Sequence, residues 1–134
     1  DPINHAVMVK EREEKVQRVA NYIPELEVNG EQSGKLLVVG WGGTYGHLLS
    51  AVQEVREKGI DVSFAHFDYI MPLPKNTAEV FGKFEKILVC ELNNGHFVNY
   101  LRGLMPQFKY EQFNKVQGQP FLVQEIVGAI KENL

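Results

Sequence analysis

From residue 35 onward, short apolar runs alternate with amphipathic stretches. Residues 35–40 (KLLVVG) are apolar throughout, as a strand covered on both faces is. Residues 44–58 place Leu48, Leu49, Val52 and Val55 on one helical face and stop at Gly59. Residues 61–67 (DVSFAHF) read as a second strand, with Val62, Phe64 and His66 on one side. A short helix is expected over 76–84, capped by Asn76 or Thr77. A third strand follows over 86–91 (KILVCE), then a helix over 96–104 after Asn93, Asn94 and Gly95. Residues 108–113 form a fourth, weaker strand, and Pro120 suits the first position of a last helix over 121–133.

Upstream, residues 5–22 read as a charged helix, with Val9, Val16, Val19 and Ile23 at helical spacing and Pro24 as its stop. The polar stretch 25–34 carries the turn signals Asn29-Gly30 and Ser33-Gly34. The chain thus divides into an arm and linker (1–34) and an α/β domain (35–134). The fold class is a three-layer α/β arrangement, a mainly parallel sheet with helices on both faces. Leu37, Val39, Val62, Phe64, Leu88 and Cys90 are expected in its core. In such sheets ligands and partners meet the loops at the carboxyl ends of the strands, here 40–44, 67–76, 91–96 and 114–119.

Composition narrows the class. The 134 residues suffice for one domain with a core of its own. Fourteen basic against seventeen acidic side chains give a net charge of −3, the wrong sign for a nucleic-acid binder. No apolar run approaches a membrane span, and residues 1–10 are polar, unlike a signal peptide. A single cysteine, Cys90, makes neither an intrachain disulfide nor a cluster site, and a reducing, cytoplasmic compartment is the expectation. The chain begins at Asp1 without a methionine, as an excised or processed segment would.

Three loops carry candidate chemistry. The first holds Gly40, Gly42, Gly43, Thr44 and Gly46 around Trp41 and Tyr45. A glycine-rich turn before a helix exposes N–H groups that attract anions, and Asp68 past the second strand imitates a ribose-binding acid. The spacing G-x-G-x-x-x-G is not the dinucleotide pattern, and the plainer reading is a tight strand-to-helix turn. No Gly-Lys-Ser/Thr phosphate loop occurs. The second loop holds Glu91, Asn93, Asn94, Gly95 and His96, either a polar ligand site or an Asx turn with a helix cap. The third holds Asn114, Lys115, Gln117 and Gly118. The histidines show no metal-site spacing, so no metal ligands are expected; His66 reads as a satisfied buried group and Cys90 as an inert core thiol. In 67–76, Tyr69, Ile70, Met71 and Leu73 are too apolar for a plain solvent loop and either pack on a neighbouring helix or form a partner-facing patch; Tyr69, Ile70, Met71 and Phe97 are expected near a surface another domain or subunit covers.

Taken together, the segments resemble the C-terminal region of the alpha subunit of 2-oxoglutarate:ferredoxin oxidoreductases, within the wider 2-oxoacid:acceptor oxidoreductases. The matching pieces are Asp1-Pro2, Asn4-His5, Met8-Val9, Arg12 and Lys15-Val16, then Leu37 to Gly42 with Thr44-Tyr45-Gly46. Pro72 to Asn76, Glu91-Leu92-Asn93 with Gly95, Asn114 to Gly118 and Pro120-Phe121 continue the match nearly end to end. Gly43 and His96 depart from the family's usual serine and glutamine. The resemblance implies a transketolase C-terminal-like fold. It also implies CoA-dependent oxidative decarboxylation of a 2-oxoacid by the whole complex, using thiamine diphosphate, Mg and iron–sulfur clusters, with ferredoxin as acceptor. This chain has no Gly-Asp-Gly…Asn thiamine diphosphate motif and no cluster cysteines, so no cofactor is expected on the chain alone. The implied partners are the remainder of the alpha subunit and a thiamine-binding beta subunit, and the implied role is assembly and shaping of a site. Two alternatives stand beside it: a small nucleotide-binding module built on the 40–46 turn, and the C-terminal domain of another thiamine enzyme.

Overall fold

The four apolar runs pair as one parallel sheet. A computed structural model describes residues 2–116 and 118–134, the side chains of Pro2, His5, Val16 and Gln17 excepted. Its strands are β1 (Gly34–Trp41), β2 (Ser63–Phe67), β3 (Phe84–Glu91) and β4 (Tyr110–Asn114), in the order β2-β1-β3-β4. All pairings are parallel, with Val38 between Phe64 and Leu88 at the centre. The helices are α1 (Pro2–Ala20), α2 (Tyr45–Glu57), α3 (Thr77–Phe81), α4 (His96–Leu104) and α5 (Val123–Glu132).

Strand alternation sends successive side chains to opposite faces, so two separate cores form. Leu36, Val38, Leu88 and Cys90 pack under α2 and α5 with Phe64 and Phe121. Leu37, Val39, Ile87 and Val89 pack with Phe81 of α3 and with Phe97, Val98 and Leu101 of α4. Leu37, Val39, Val62, Phe64, Leu88 and Cys90 are all buried, as the apolar runs require.

Several local expectations are corrected. The last helix does not begin at Pro120: Leu122 is still extended (φ −86°, ψ 141°) and α5 starts at Val123. The extended entry lets Phe121 reach the core and tilt against Phe113, ring centres 5.7 Å apart. The third helix stops at Phe81, and Phe84 opens β3 opposite Gly34. Neither Asn76 nor Thr77 caps α3 by side chain. Asn76 spends its amide on the linker, accepting from the Leu26 N–H (2.7 Å) and donating to the Leu26 carbonyl (2.9 Å).

The linker is fastened to the sheet rather than loose. Asn29 exchanges main-chain bonds with Phe64 at the edge of β2. Arg56 donates to the Val62 carbonyl (2.8 Å) and to both the side chain and main chain of Asn29, while the Ser63 hydroxyl donates to the Glu31 carbonyl (2.6 Å). This cover shields part of an edge that would otherwise recruit another strand. By contrast, Val7, Met8, Val9 and Val19 of α1 remain exposed.

Candidate functional site

The strand order reverses between β1 and β3, so the loops after those strands flank the switch point where parallel α/β sheets open a crevice. Here one side chain ties the two loops together. Glu91, the last residue of β3, is 1% exposed. Its Oε1 accepts the Trp41 indole N–H (3.2 Å) and the Phe97 main-chain N–H (2.7 Å), and its Oε2 accepts the Val98 N–H (3.0 Å). Asn93 completes the set: its side-chain oxygen accepts from the Gly95 (2.8 Å) and His96 (3.0 Å) N–H groups. The N–H groups of residues 95 to 98, which an α-helix cannot satisfy internally, are therefore all taken. Gly95 turns the chain into α4 at φ +92°, left-handed space that glycine occupies without strain. Of the two readings of this loop, the turn and cap is the observed one. Asn94 and His96 lie exposed beside it.

The first loop has equally local explanations. Gly40 faces α2: a Cβ there would lie 2.1 Å from Leu48 Cδ1 and 2.8 Å from Thr44 Oγ1. Gly42 has φ +67°, while Gly43 and Gly46 have open space around them. Thr44 does not cap α2, contrary to its position before the apolar run; its hydroxyl turns back to donate to the Trp41 carbonyl (3.0 Å), closing a short 3-10 turn over Gly42–Thr44. Trp41 packs edge-on against Phe97 at 6.1 Å. Phe97 is therefore core rather than a covered surface, since Glu91 draws its backbone inward. In the 67–76 loop, Ile70 and Leu73 pack against the α3/α4 core, whereas Tyr69 and Met71 are exposed.

The third loop is drawn onto the sheet by Lys115. Its N–H donates to the Glu91 carbonyl (2.9 Å), and its Nζ donates to the Pro120 carbonyl (3.1 Å) and to Glu125 Oε1 (2.7 Å). Glu125 also accepts from the Leu122 N–H (3.0 Å), the N-cap of α5. Asn114 leaves its buried side-chain oxygen without a partner among the described residues, and Gly118 takes φ +68°. Gln117 lies outside the described residues.

Lys115 and the Leu122 N–H hold the Glu125 carboxyl below its ordinary range. A carboxyl depressed in the folded state stabilises above its unfolded pKa, and that contribution is lost as pH falls through the folded value. Glu125→Gln is expected to lower Tm at neutral pH, and the gap from the parent should close in melts below about pH 4. A gap that persists undiminished in acid would contradict this.

Two further side chains, Cys90 and His66, have displaced pKa values. Burial, with the neighbouring Glu91 charge, pushes the Cys90 thiol well up, so it stays protonated and inert. Burial lowers the His66 pKa, opposed by Asp68 at 3.7 Å; His66 Nδ1 is buried without a partner among the described residues, so this histidine is not the satisfied group its sequence setting suggests. Among the described residues no cluster of three His, Cys, Asp or Glu could hold a metal ion.

No protein-family profile matches the chain. Individual proteins do. The chain is 36% identical, over its whole length, to a 2-oxoglutarate oxidoreductase subunit KorA of Mycobacterium tuberculosis, and covers 20% of that protein. It is 27% identical over 97% of its length to the alpha subunit of a 2-oxoacid:ferredoxin oxidoreductase of Aeropyrum pernix, covering 21% of it. Among solved structures, a 2-oxoglutarate:ferredoxin oxidoreductase from Magnetococcus marinus, with 2-oxoglutarate, coenzyme A and succinyl-CoA bound, superposes on 99% of the chain. The TM-score is 0.86 at 27% identity, and 24% of that chain is covered. In sequence and backbone alike, the chain corresponds to a domain of 2-oxoacid:ferredoxin oxidoreductase alpha subunits. What it matches is the C-terminal part of those subunits, and it spans about a fifth of their length. A split-gene transketolase shares the fold alone, with a TM-score of 0.62 at 12% identity over 81% of the chain and 41% of its own.

These matches favour the oxidoreductase reading over the nucleotide-binding module. Asp68, the acid the nucleotide reading relies on, lies 3.7 Å from His66, and the amides opening α4 are spent on Glu91 and Asn93. The α4 N-terminus therefore offers an anion no free amide among residues 95 to 98, because Glu91 and Asn93 already accept from them. Sequence reasoning missed Trp41 as a bonded partner. The available signal was an indole one residue past the first apolar run and an acid closing the third, both facing the switch point.

Proposed function

We propose that the chain serves as the transketolase C-terminal-like domain of a 2-oxoglutarate:ferredoxin oxidoreductase alpha subunit. In that role it holds subunits together and shapes the entrance to a site built by other domains. The reaction of the whole complex is then oxidative decarboxylation of 2-oxoglutarate to the CoA thioester, with ferredoxin taking the electrons. Thiamine diphosphate, Mg, iron–sulfur clusters and coenzyme A belong to the rest of that complex, whose location is the cytoplasm. The observation that carries the reading is the full-length likeness to a 2-oxoglutarate enzyme, in sequence and backbone alike.

The interface role has support of its own. Exposed large apolar side chains gather on the loops at the carboxyl edge, Tyr45, Tyr69, Met71, Leu92, Val116 and Leu122, and again on α1. Large apolar side chains left exposed on several loops of one sheet edge are consistent with a contact surface there. The loops of Gly40 to Gly46, Glu91 to His96 and Asn114 to Gly118 act in this reading as partner-facing supports, with residues 1–34 as the arm and 35–134 as the domain.

The test is made in a full alpha subunit carrying this sequence, expressed with its beta subunit. Deletion from Asp1 onward is expected to abolish both co-purification of the beta subunit and 2-oxoglutarate-dependent acceptor reduction. A truncated complex that assembles and keeps its activity would overturn the assignment.

A further inference from the structure

A cleft of about 650 Å3 opens beside β2, between the linker and the loop that follows the strand. Its lining includes the carboxylates Glu25, Glu27 and Asp68, two half-exposed tyrosines, Tyr45 and Tyr69, and His66, with neither lysine nor arginine among the lining residues. The His66 side chain is 12% exposed and sits edge-to-face with Tyr45 at 5.2 Å.

The main chain there is also incomplete. Phe64 exchanges both main-chain bonds with Asn29 (2.7 and 2.9 Å), so its N–H and C=O face away from β1. Alternation along a strand points the N–H and C=O of His66 to the same outer edge. Antiparallel register puts Glu27 opposite His66, yet among the described residues no hydrogen bond joins them. The linker has left the strand by then: Leu26 gives its N–H and C=O to the Asn76 amide. The cleft thus combines an unpaired strand rung, aromatic surface and three carboxylates, with the Arg56 guanidinium bonded to Asn29 at one end.

We propose that this cleft docks an extended segment of a partner polypeptide presenting an arginine side chain. The open rung at His66 accepts a main chain by strand addition. A guanidinium suits the walls better than an ammonium, because its plane stacks on tyrosine while its fork of N–H donors meets carboxylates. Acidic peptides are repelled by the same groups. The inference rests on the cleft's chemistry and is independent of the family assignment.

The probe is the tripeptide acetyl-Val-Arg-Val-amide, titrated into the 134-residue chain and followed by amide NMR shifts. Saturable shifts are expected at Tyr45, His66, Asp68 and Tyr69. The citrulline tripeptide, equal in shape and uncharged, should bind roughly tenfold more weakly, and so should arginine amide, which lacks the flanking main chain. Asp68→Asn with Tyr69→Ala should weaken the arginine peptide by roughly the same factor. Asp68 is 81% exposed, and an unchanged amide spectrum elsewhere will show that this variant keeps the fold. Absence of saturation, equal binding of the citrulline peptide, or an unaffected double variant would overturn the proposal. Arginine amide binding as tightly as the tripeptide would also overturn it, making this a small-cation site. None of these outcomes bears on the family, which stands on sequence and backbone likeness.

Discussion

Glu91→Ala is expected to destabilise the domain by about 3–5 kcal/mol, the largest effect of any single substitution argued from this structure. The carboxylate is buried and accepts three N–H donors, two of them buried main-chain amides at the start of α4. A buried donor left without a partner costs about 1–3 kcal/mol, more where the lost acceptor was charged. Alanine cannot accept from any of the three. Glutamine keeps one carbonyl oxygen but turns an NH2 toward groups that are themselves donors, so Glu91→Gln should fall between alanine and the parent. The effect should reach the indole as well: without its acceptor, Trp41 loses the bond that holds it to β3, and its fluorescence should shift. Urea melts of both variants check the ordering. A loss below about 1 kcal/mol for Glu91→Ala would mean that water reaches the α4 amides and that this cap is dispensable.

Gly40→Ala should have the second largest effect, a loss of about 1–3 kcal/mol by overpacking. The added Cβ would meet Leu48 Cδ1 at 2.1 Å and Thr44 Oγ1 at 2.8 Å. Side-chain ends can sometimes swing aside, but Leu48 is fully buried between β1 and the rest of its core. The threonine hydroxyl is held by the Trp41 carbonyl. Gly46→Ala makes the contrast. Gly46 lies in the first turn of α2 with open space around its Cα, so alanine there should stabilise by about 0.5–1 kcal/mol through a less flexible unfolded chain. Equal losses at the two positions would show that the whole glycine turn, and not the β1–α2 approach at Gly40, sets the requirement.

The sheet was legible in the sequence because burial on both faces leaves nothing for alternation to hide. KLLVVG and KILVCE read as strands covered on both faces, and β1 and β3 take the two inner positions of the order found. Edges and ends were harder. The start of α5 depended on Phe121 needing an extended approach to Phe113, which no local signal around Pro120 carries. Asn76 resembles a cap in sequence, yet its amide serves Leu26, fifty positions away. The same separation divides Trp41 from Glu91. Long-range polar pairs of this kind are where single-sequence reasoning stops, since residue type limits what a group can bond without naming its partner. The candidate loops lie at the carboxyl edge of the sheet, where Thr44, Glu91, Asn93 and Lys115 bond within the chain while the buried Asn114 side-chain oxygen has no partner among the described residues.

In the proposed role this domain lends shape and contact to chemistry carried out elsewhere. The direct measurement is 2-oxoglutarate oxidation by the isolated chain, purified to homogeneity and supplied with thiamine diphosphate, Mg, coenzyme A and an artificial electron acceptor, with calorimetry for thiamine diphosphate alongside. In the proposed reaction a thiamine cofactor is the electron sink and clusters carry electrons away, and the sequence has neither a Gly-Asp-Gly…Asn motif nor a second cysteine. The account predicts no turnover and no heat of thiamine diphosphate binding. Turnover that survives purification, or tight binding of the cofactor by this chain alone, would contradict it.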